Sequence, residues 1–192
     1  MNEASKSHHA RLRNGDYESI LHGEVLDVGC GPDPIKLDSP STVRPWDLED
    51  GDAEWLHGVK DESFDAVFSS HCLEHMVSVP NALTNWARVT KEGGHVYVVV
   101  PSWLAYERHQ WPSPYNPDHK ASFDIVDLGM RPIGHPFYGF KEMRQIGLQC
   151  GLTLIDTRME LDNYDFTQLP NKGNDQTLGN ALAQCVFIYL KA

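Results

Sequence analysis

The sequence predicts an α/β fold: a doubly wound, mostly parallel sheet with helices on both faces and an antiparallel strand at one edge. Three observations predict it. Val25-Leu26-Asp27-Val28-Gly29-Cys30-Gly31-Pro32 reads as a strand that stops near an acid and turns sharply on two glycines, and strands buried inside a parallel sheet are apolar on both faces. Further along, β-branched runs alternate with segments of helical period, the order that builds parallel sheets. Leu152 to Thr157 and Cys185 to Leu190 then read as the last two strands, an antiparallel pair at one edge.

Each element has its own signal. Residues 1–23 form a polar N-terminal segment, in which Arg11, Arg13 and Tyr17 read as part of a solvated tail that could otherwise fold over an anionic group. Glu24 to Val28 is the first strand, Thr42 to Leu48 a weaker second, and Phe64 to Ser69 a clear third, introduced by the turn Asp61-Glu62-Ser63. Pro80 opens a helix, because the first turn has no use for the amide hydrogen that proline lacks. Its apolar positions Leu83, Trp86, Ala87 and Val89 share a face, and Gly93-Gly94 is expected to end it. His95 to Val100 follows as a β-branched strand. Pro101 to Pro136 is rich in proline, histidine and aromatic residues and has no sustained period. It is too long for an ordinary connection and reads as a lid or binding loop, an insertion over 101–138. Phe140, Met143, Ile146 and Gly147 mark a last helix stopped by Gly151, and residues 162–181 form a second insertion before the final strand.

Composition points to one domain over residues 1–192. A chain of 192 residues that is 41% hydrophobic can bury a sizeable core within the ordinary range for a single domain. Lys and Arg number 16 against 27 Asp and Glu, and the formal charge of −11 repels phosphate backbones and anionic membranes. A nucleic-acid substrate is disfavoured. Cys30, Cys72, Cys150 and Cys185 lie scattered with no Cys-x-x-Cys spacing, which suggests reduced thiols in a cytoplasmic protein. No apolar run is long enough to cross a membrane.

The glycine turn should floor a small-molecule site, since ligands of open α/β sheets bind beyond the carboxyl ends of the strands and glycine lets backbone approach them. A dinucleotide is disfavoured, because Pro34 stands where the third glycine of G-x-G-x-x-G belongs. The Asp27-x-Gly29-x-Gly31 pattern instead resembles the first motif of class I, Rossmann-like S-adenosylmethionine-dependent methyltransferases, in particular compact members of the type 11 kind. Three more segments agree in order and spacing. Gly51-Asp52-Ala53-Glu54 resembles the family's adenine-contacting turn, Ser63 to His75 its fourth strand and following loop, and Arg88 to Pro101 its helix, double-glycine turn and fifth strand.

The resemblance implies S-adenosylmethionine as cofactor and assigns roles to residues. Asp27 would anchor the ammonium, while Gly29, Cys30 and Gly31 lie along the methionine part. An acid at the end of the second strand would hold the ribose hydroxyls; Asp47 is the choice and Asp38 the rival, although Gly31 and Asp47 stand too close for the family's usual helix and strand between them. Asp52 and Ala53 would meet the adenine, and Ser69, Ser70 and His71 would line the pocket.

Methyl transfer needs an aligned nucleophile, a dry site and, for some acceptors, a proton acceptor. The proton acceptor is expected from the long insertion, which holds Tyr106, His109, Tyr115, Asp118 and His119, with Trp103 and Trp111 as walls. His119, His75 and Tyr106 are the candidate catalytic residues, His119 first because imidazole titrates near neutrality. His75 reads equally as a buried structural histidine. His71 and His75 invite a metal, but no third ligand with matching spacing is visible, so none is expected. The expected reaction is methylation of oxygen or nitrogen on a small-molecule or glycan acceptor. A different reaction of the same cofactor, such as aminopropyl transfer or sulfonium cleavage, and a non-catalytic cofactor-binding subunit are the alternatives.

Overall fold

The structure, a computed structural model, describes residues 3–126, 129, 131–169 and 173–192. Three short helices, α1 (Glu3–Lys6), α2 (His8–Asn14) and α3 (Asp16–Ser19), lead into β1 (Glu24–Val28), β2 (Thr42–Trp46) and β3 (Phe64–Ser70). Helix α4 (Val79–Val89) runs directly into β4 (Thr90–Pro101); β5 (Ser122–Asp124), β6 (Phe137–Gly139), α5 (Phe140–Gln149), β7 (Leu152–Glu160) and β8 (Gln184–Lys191) complete the chain. The main sheet has the order β2-β1-β3-β4-β8-β7. Its first four strands are parallel, β8 is antiparallel to β4, and β7 is antiparallel to β8 at the edge. The predicted α/β class and edge pair therefore stand.

Alternating side chains divide the core into two halves. Leu26, Val28, Val67, Val96, Val98, Phe187 and Tyr189 face α4 and α5, where Leu83, Trp86, Met143 and Ile146 meet them. Val25, Phe68, Tyr97, Val99, Val186 and Ile188 face the other way, toward Ala4, Leu21 and Ile35. The N-terminal helices thus cover one face of the sheet, and the expected solvated tail is corrected. Arg11 is only 1% exposed. Its guanidinium donates to Ser7 Oγ at 2.8 Å, to Tyr17 Oη at 2.9 Å and to the Ala4 carbonyl, and it stacks over Phe68. Arg13, by contrast, stays at the surface, paired with Asp162 at 2.9 Å.

Two further expectations change. Gly93-Gly94 does not end α4, because Thr90 already turns the chain into β4 and the glycines sit within that strand, beside the register shift between Phe64 and Ala66. Between β1 and β2, residues 29–41 hold no helix; the α1–α3 segment supplies the cover on that side. The insertion after β4 is folded back and fastened, with Asp124 Oδ2 accepting from Ser102 Oγ and from the Leu104 amide, both at 2.9 Å. Ala105 and Tyr106 pack with Ala183, Tyr115, Leu161 and Tyr164, which joins the two insertions in one small core. Tyr164 Oη seals it by donating to the Ala105 carbonyl at 2.6 Å. Trp103 is buried, while Trp111 stacks on His135 at 3.7 Å. The parts of the predicted insertions at 127, 128, 130 and 170–172 lie outside the described residues.

Candidate functional site

The site forms where β1 and β3 end side by side, with Val28 opposite Ser69. After β1 the chain turns on Gly29 (φ +74°) and Gly31 (φ +54°), both in the left-handed region open to glycine. A side chain at Gly29 would run into Cys72. The turn is hung on β2, since the Gly29 amide donates to the Trp46 carbonyl at 2.8 Å. After β3, His71 takes φ +54°, a conformation that side-chain-bearing residues adopt at some cost.

Asp27 is buried at the floor of this corner, and its Oδ2 accepts from the Ile35 amide at 2.7 Å. Burial pushes its carboxyl up to about 7, with Asp33 and Asp47 adding to the shift and the Ile35 amide and Arg11 charge opposing it. Burial likewise pushes the Cys30 thiol up to about 11, so it remains neutral. The buried Ser70 hydroxyl makes no hydrogen bond with the described residues.

Two cavities adjoin here. The first, of about 250 Å³, is lined by Asp27, Gly29, Cys30, Gly31, Ser70, His71, His75, Tyr106 and His119, together with Glu3 and Glu74. The second, of about 580 Å³, is lined by Asp47, Gly51, Asp52, Ala53, Met76 and Val77. They share Gly29, His71 and His75. Of the first-choice cofactor-binding and catalytic candidates, all but Ser69 border one cavity or the other, whereas Trp103, His109, Trp111, Tyr115 and Asp118 of the insertion border neither. Ser69 is a correction: it is fully buried within the sheet and donates to the Val28 carbonyl at 3.0 Å. Asp38 is exposed and lines neither cavity, which leaves Asp47 at the end of β2 as the acid in reach. Leu48, 90% exposed, and Val77, 82% exposed, flank the second cavity as apolar surfaces that no sequence signal had marked.

The insertion brings His119 over the first cavity, where its ring lies 4.9 Å from that of His75 and 5.8 Å from that of Tyr106. His119 Nδ1 bonds Glu107 Oε1 at 2.6 Å. Burial works to lower the His119 pKa, but the Glu107 hydrogen bond and the charges of Glu74, Glu107 and Asp118 outweigh it and hold the value raised. Burial drives the Tyr106 phenol well above its ordinary range, so it can donate a hydrogen bond and cannot serve as a base near neutrality. Glu74 and Glu107 went unmarked in the sequence. Each is almost wholly buried, and the two are brought together through His119, which the folded insertion sets against both.

Among the described residues no helix is long and apolar enough to cross a membrane. The family model described as a methyltransferase domain, Methyltransf_11, matches residues 33–98, the span from just beyond the glycine turn through β4 to Val98. No curated protein matches the chain. Solved structures similar to it include a SAM-dependent methyltransferase from Archaeoglobus fulgidus, 16% identical with a TM-score of 0.54 over 98% of this chain and 94% of that one. Another is a SAM-dependent methyltransferase from Methanosarcina mazei, 17% identical with a TM-score of 0.52 over 88% and 92%. A third is the [4+2]-cyclase SpnF, 16% identical with a TM-score of 0.57 over 94% and 80%. Residues 33–98 thus match a methyltransferase domain, the chain has the class I fold of SAM-dependent methyltransferases, and S-adenosylmethionine is the cofactor which that family implies.

Proposed function

We propose that the chain binds S-adenosylmethionine across the two adjoining cavities and transfers its methyl group to an oxygen or nitrogen of a small-molecule or glycan acceptor. The observation that carries this reading is the join itself. One cavity is floored by a buried carboxyl, Asp27, the other is bordered by Asp47, Asp52 and apolar side chains, and the two meet over Gly29, where a Cβ would collide with Cys72. A ligand with an ammonium at one end and an adenosine at the other matches that division.

On this reading the oxygen of Asp27 that Ile35 leaves free pairs with the ammonium, and the backbone of Gly29, Cys30 and Gly31 runs along the methionine chain. Ser70 offers its unused hydroxyl to the same end. Asp47 takes both ribose hydroxyls as a bidentate acceptor, Asp52 accepts from the adenine amino group beside the Ala53 amide, and Leu48 and Val77 flank the ring. His71, on the shared wall, borders the sulfonium. Reaction then depends on alignment and on keeping water out, the work of the insertion that carries Tyr106 and His119. Tyr106 orients the acceptor by donating a hydrogen bond, and proton removal falls to the group formed by Glu74, His75 and His119. The carboxyl groups of Glu3, Asp33 and Glu74 along the first cavity disfavour an anionic acceptor and suit a hydroxyl or an amine.

Calorimetric titration with S-adenosylmethionine tests the reading. One site per chain is expected, and Asp27→Ala should weaken binding by about 1.5–3 kcal/mol, the range for a hydrogen bond to a charged group. An acceptor screen reading S-adenosylhomocysteine release then identifies the second substrate. Absence of binding at saturating cofactor overturns the proposal.

A further inference from the structure

Glu74 is the anomaly of the site. Its side chain is 1% exposed, and neither carboxylate oxygen accepts a hydrogen bond from the described residues, a costly state for a buried charge. Three imidazoles converge on its Oε1: His71 Nδ1 at 3.6 Å, His75 Nε2 at 3.9 Å and His119 Nε2 at 3.9 Å. The far nitrogen of each ring is already committed. His71 Nε2 donates to Gln184 Oε1 at 3.1 Å, and that amide is fixed by donation to Glu160 at 2.6 Å. His75 Nδ1 donates to the Asp118 carbonyl at 3.3 Å, and His119 Nδ1 to Glu107 at 2.6 Å.

In their neutral form, the tautomers assigned from these partners leave a lone pair on the near nitrogen of every ring. Acceptors therefore surround a point with no donor among them, and a cation satisfies such a set. Ligand atoms from Glu74, His75 and His119 lie within 4.8 Å of one another, close enough to share one ion. The outer bonds from His75 to a carbonyl and from His119 to a carboxylate are the supports that fix ring and tautomer in histidines bound to metals.

We propose that Glu74, His75 and His119 bind a divalent first-row transition ion that keeps an open position for the acceptor's hydroxyl oxygen. Imidazole and carboxylate together suit Mn²⁺, Fe²⁺, Co²⁺ or Zn²⁺, and two histidines with one carboxylate leave coordination positions free. The ion site stands on these side chains alone; its use rests on the methyl-transfer reading above. A hydroxyl bound to the ion would have a lowered pKa and would give its proton to bulk solvent as it binds, ahead of the transfer itself. The resulting oxyanion forms the carbon–oxygen bond as the carbon–sulfur bond breaks, and that electron pair stays on sulfur as S-adenosylhomocysteine. Glu74, His75 and His119 are then ligands, which replaces the proton-removing role assigned to that group above.

The test uses metal-free protein without S-adenosylmethionine, titrated with Co²⁺, Mn²⁺ and Zn²⁺ by calorimetry, with Co²⁺ also followed by its visible absorption. One ion per chain with micromolar or tighter affinity is expected, with Zn²⁺ displacing Co²⁺ from the same site. Glu74→Gln and His119→Ala should each abolish the Co²⁺ spectrum while the far-UV circular dichroism and cooperative thermal transition persist. Glu107→Gln, which touches no ion, should weaken binding about 10- to 100-fold, as loss of an outer support does. Absence of stoichiometric binding to wild type overturns the proposal. So does an unchanged Co²⁺ spectrum in the Glu74→Gln/His119→Ala double variant, which would assign the ion to other imidazoles such as His8 and His9. Ion binding without cofactor binding would sink only the methyl-transfer reading; cofactor binding without an ion would sink only this one.

Discussion

Asp27 is a carboxyl whose surroundings hold it near the middle of the physiological range before any ligand arrives. Because burial raises it to about 7, acid fills it with a proton that an incoming ammonium must displace. Affinity for S-adenosylmethionine should therefore fall about tenfold per unit as pH drops below about 7, with one proton released per cofactor bound. Above that, affinity should hold until the ligand's own amine titrates, at about 7.7–8.0 for an ordinary α-amino group. Calorimetry across buffers of different ionisation enthalpy measures the released proton, and Asp27→Asn should flatten the acid limb; an acid limb that survives this change would remove the role assigned to the carboxyl. Asp27, Gly29 and Gly31 could be found in the sequence because their signal is local, a strand that stops and a backbone that needs φ above zero. Glu74 and Glu107 carry no such signal. Each is one acid in an acidic chain until the insertion folds back and sets His119 between them.

At the scale of elements, α4 shows which boundaries a sequence exposes. Its start was legible, since Ser78 caps the Asn81 amide at 3.3 Å and Pro80 occupies the first turn. Its end was not. A double glycine is an ordinary helix stop, but here Thr90 leaves the helix first, and Gly94 is needed where a Cβ would come 2.6 Å from the Asp65 carbonyl. The missing helix between β1 and β2 was foreshadowed only by the short distance between Gly31 and Asp47. Helix α4 also steadies the second cavity. Buried Glu54, beside Asp52 and Ala53, accepts from the Ser78 amide at 3.0 Å and from Asn81 Nδ2 at 3.3 Å, and Trp86 Nε1 donates to the Ala53 carbonyl at 2.9 Å. Glu54→Ala strands those donors and should cost about 1–3 kcal/mol. A urea titration should show a lower midpoint at unchanged slope; an unchanged midpoint would mean that the loop is held by other means.

At the scale of the whole molecule, the N-terminal helices are structure and not an appendage. They lay Ala4 and Leu21 on the sheet, bury Arg11 and bring Glu3 and Ala4 to the first cavity. Asp16 reaches further, joining Tyr97 Oη at 2.8 Å and the Arg158 guanidinium from β7. Removing residues 1–14 should lower the thermal midpoint by about 5–10 °C, the scale of a few kcal/mol in a chain of this size, and weaken cofactor binding. An unchanged midpoint in a melting experiment would restore the reading of that segment as a solvated tail. That cover was hidden in the sequence because the helices are four to seven residues long and a one- or two-turn helix shows little periodicity.

The same cover has a consequence for biosynthesis. The sheet face under helices α1 to α3 is finished by Val186 and Ile188 of β8 and tied down by Arg158 of β7, so helices made well before these strands find their full docking surface only once β7 and β8 have been translated. Contacts this remote in sequence close slowly. Until then the nascent chain carries a bare apolar platform, and the helices must wait for partners such as Arg158, 142 residues downstream of Asp16.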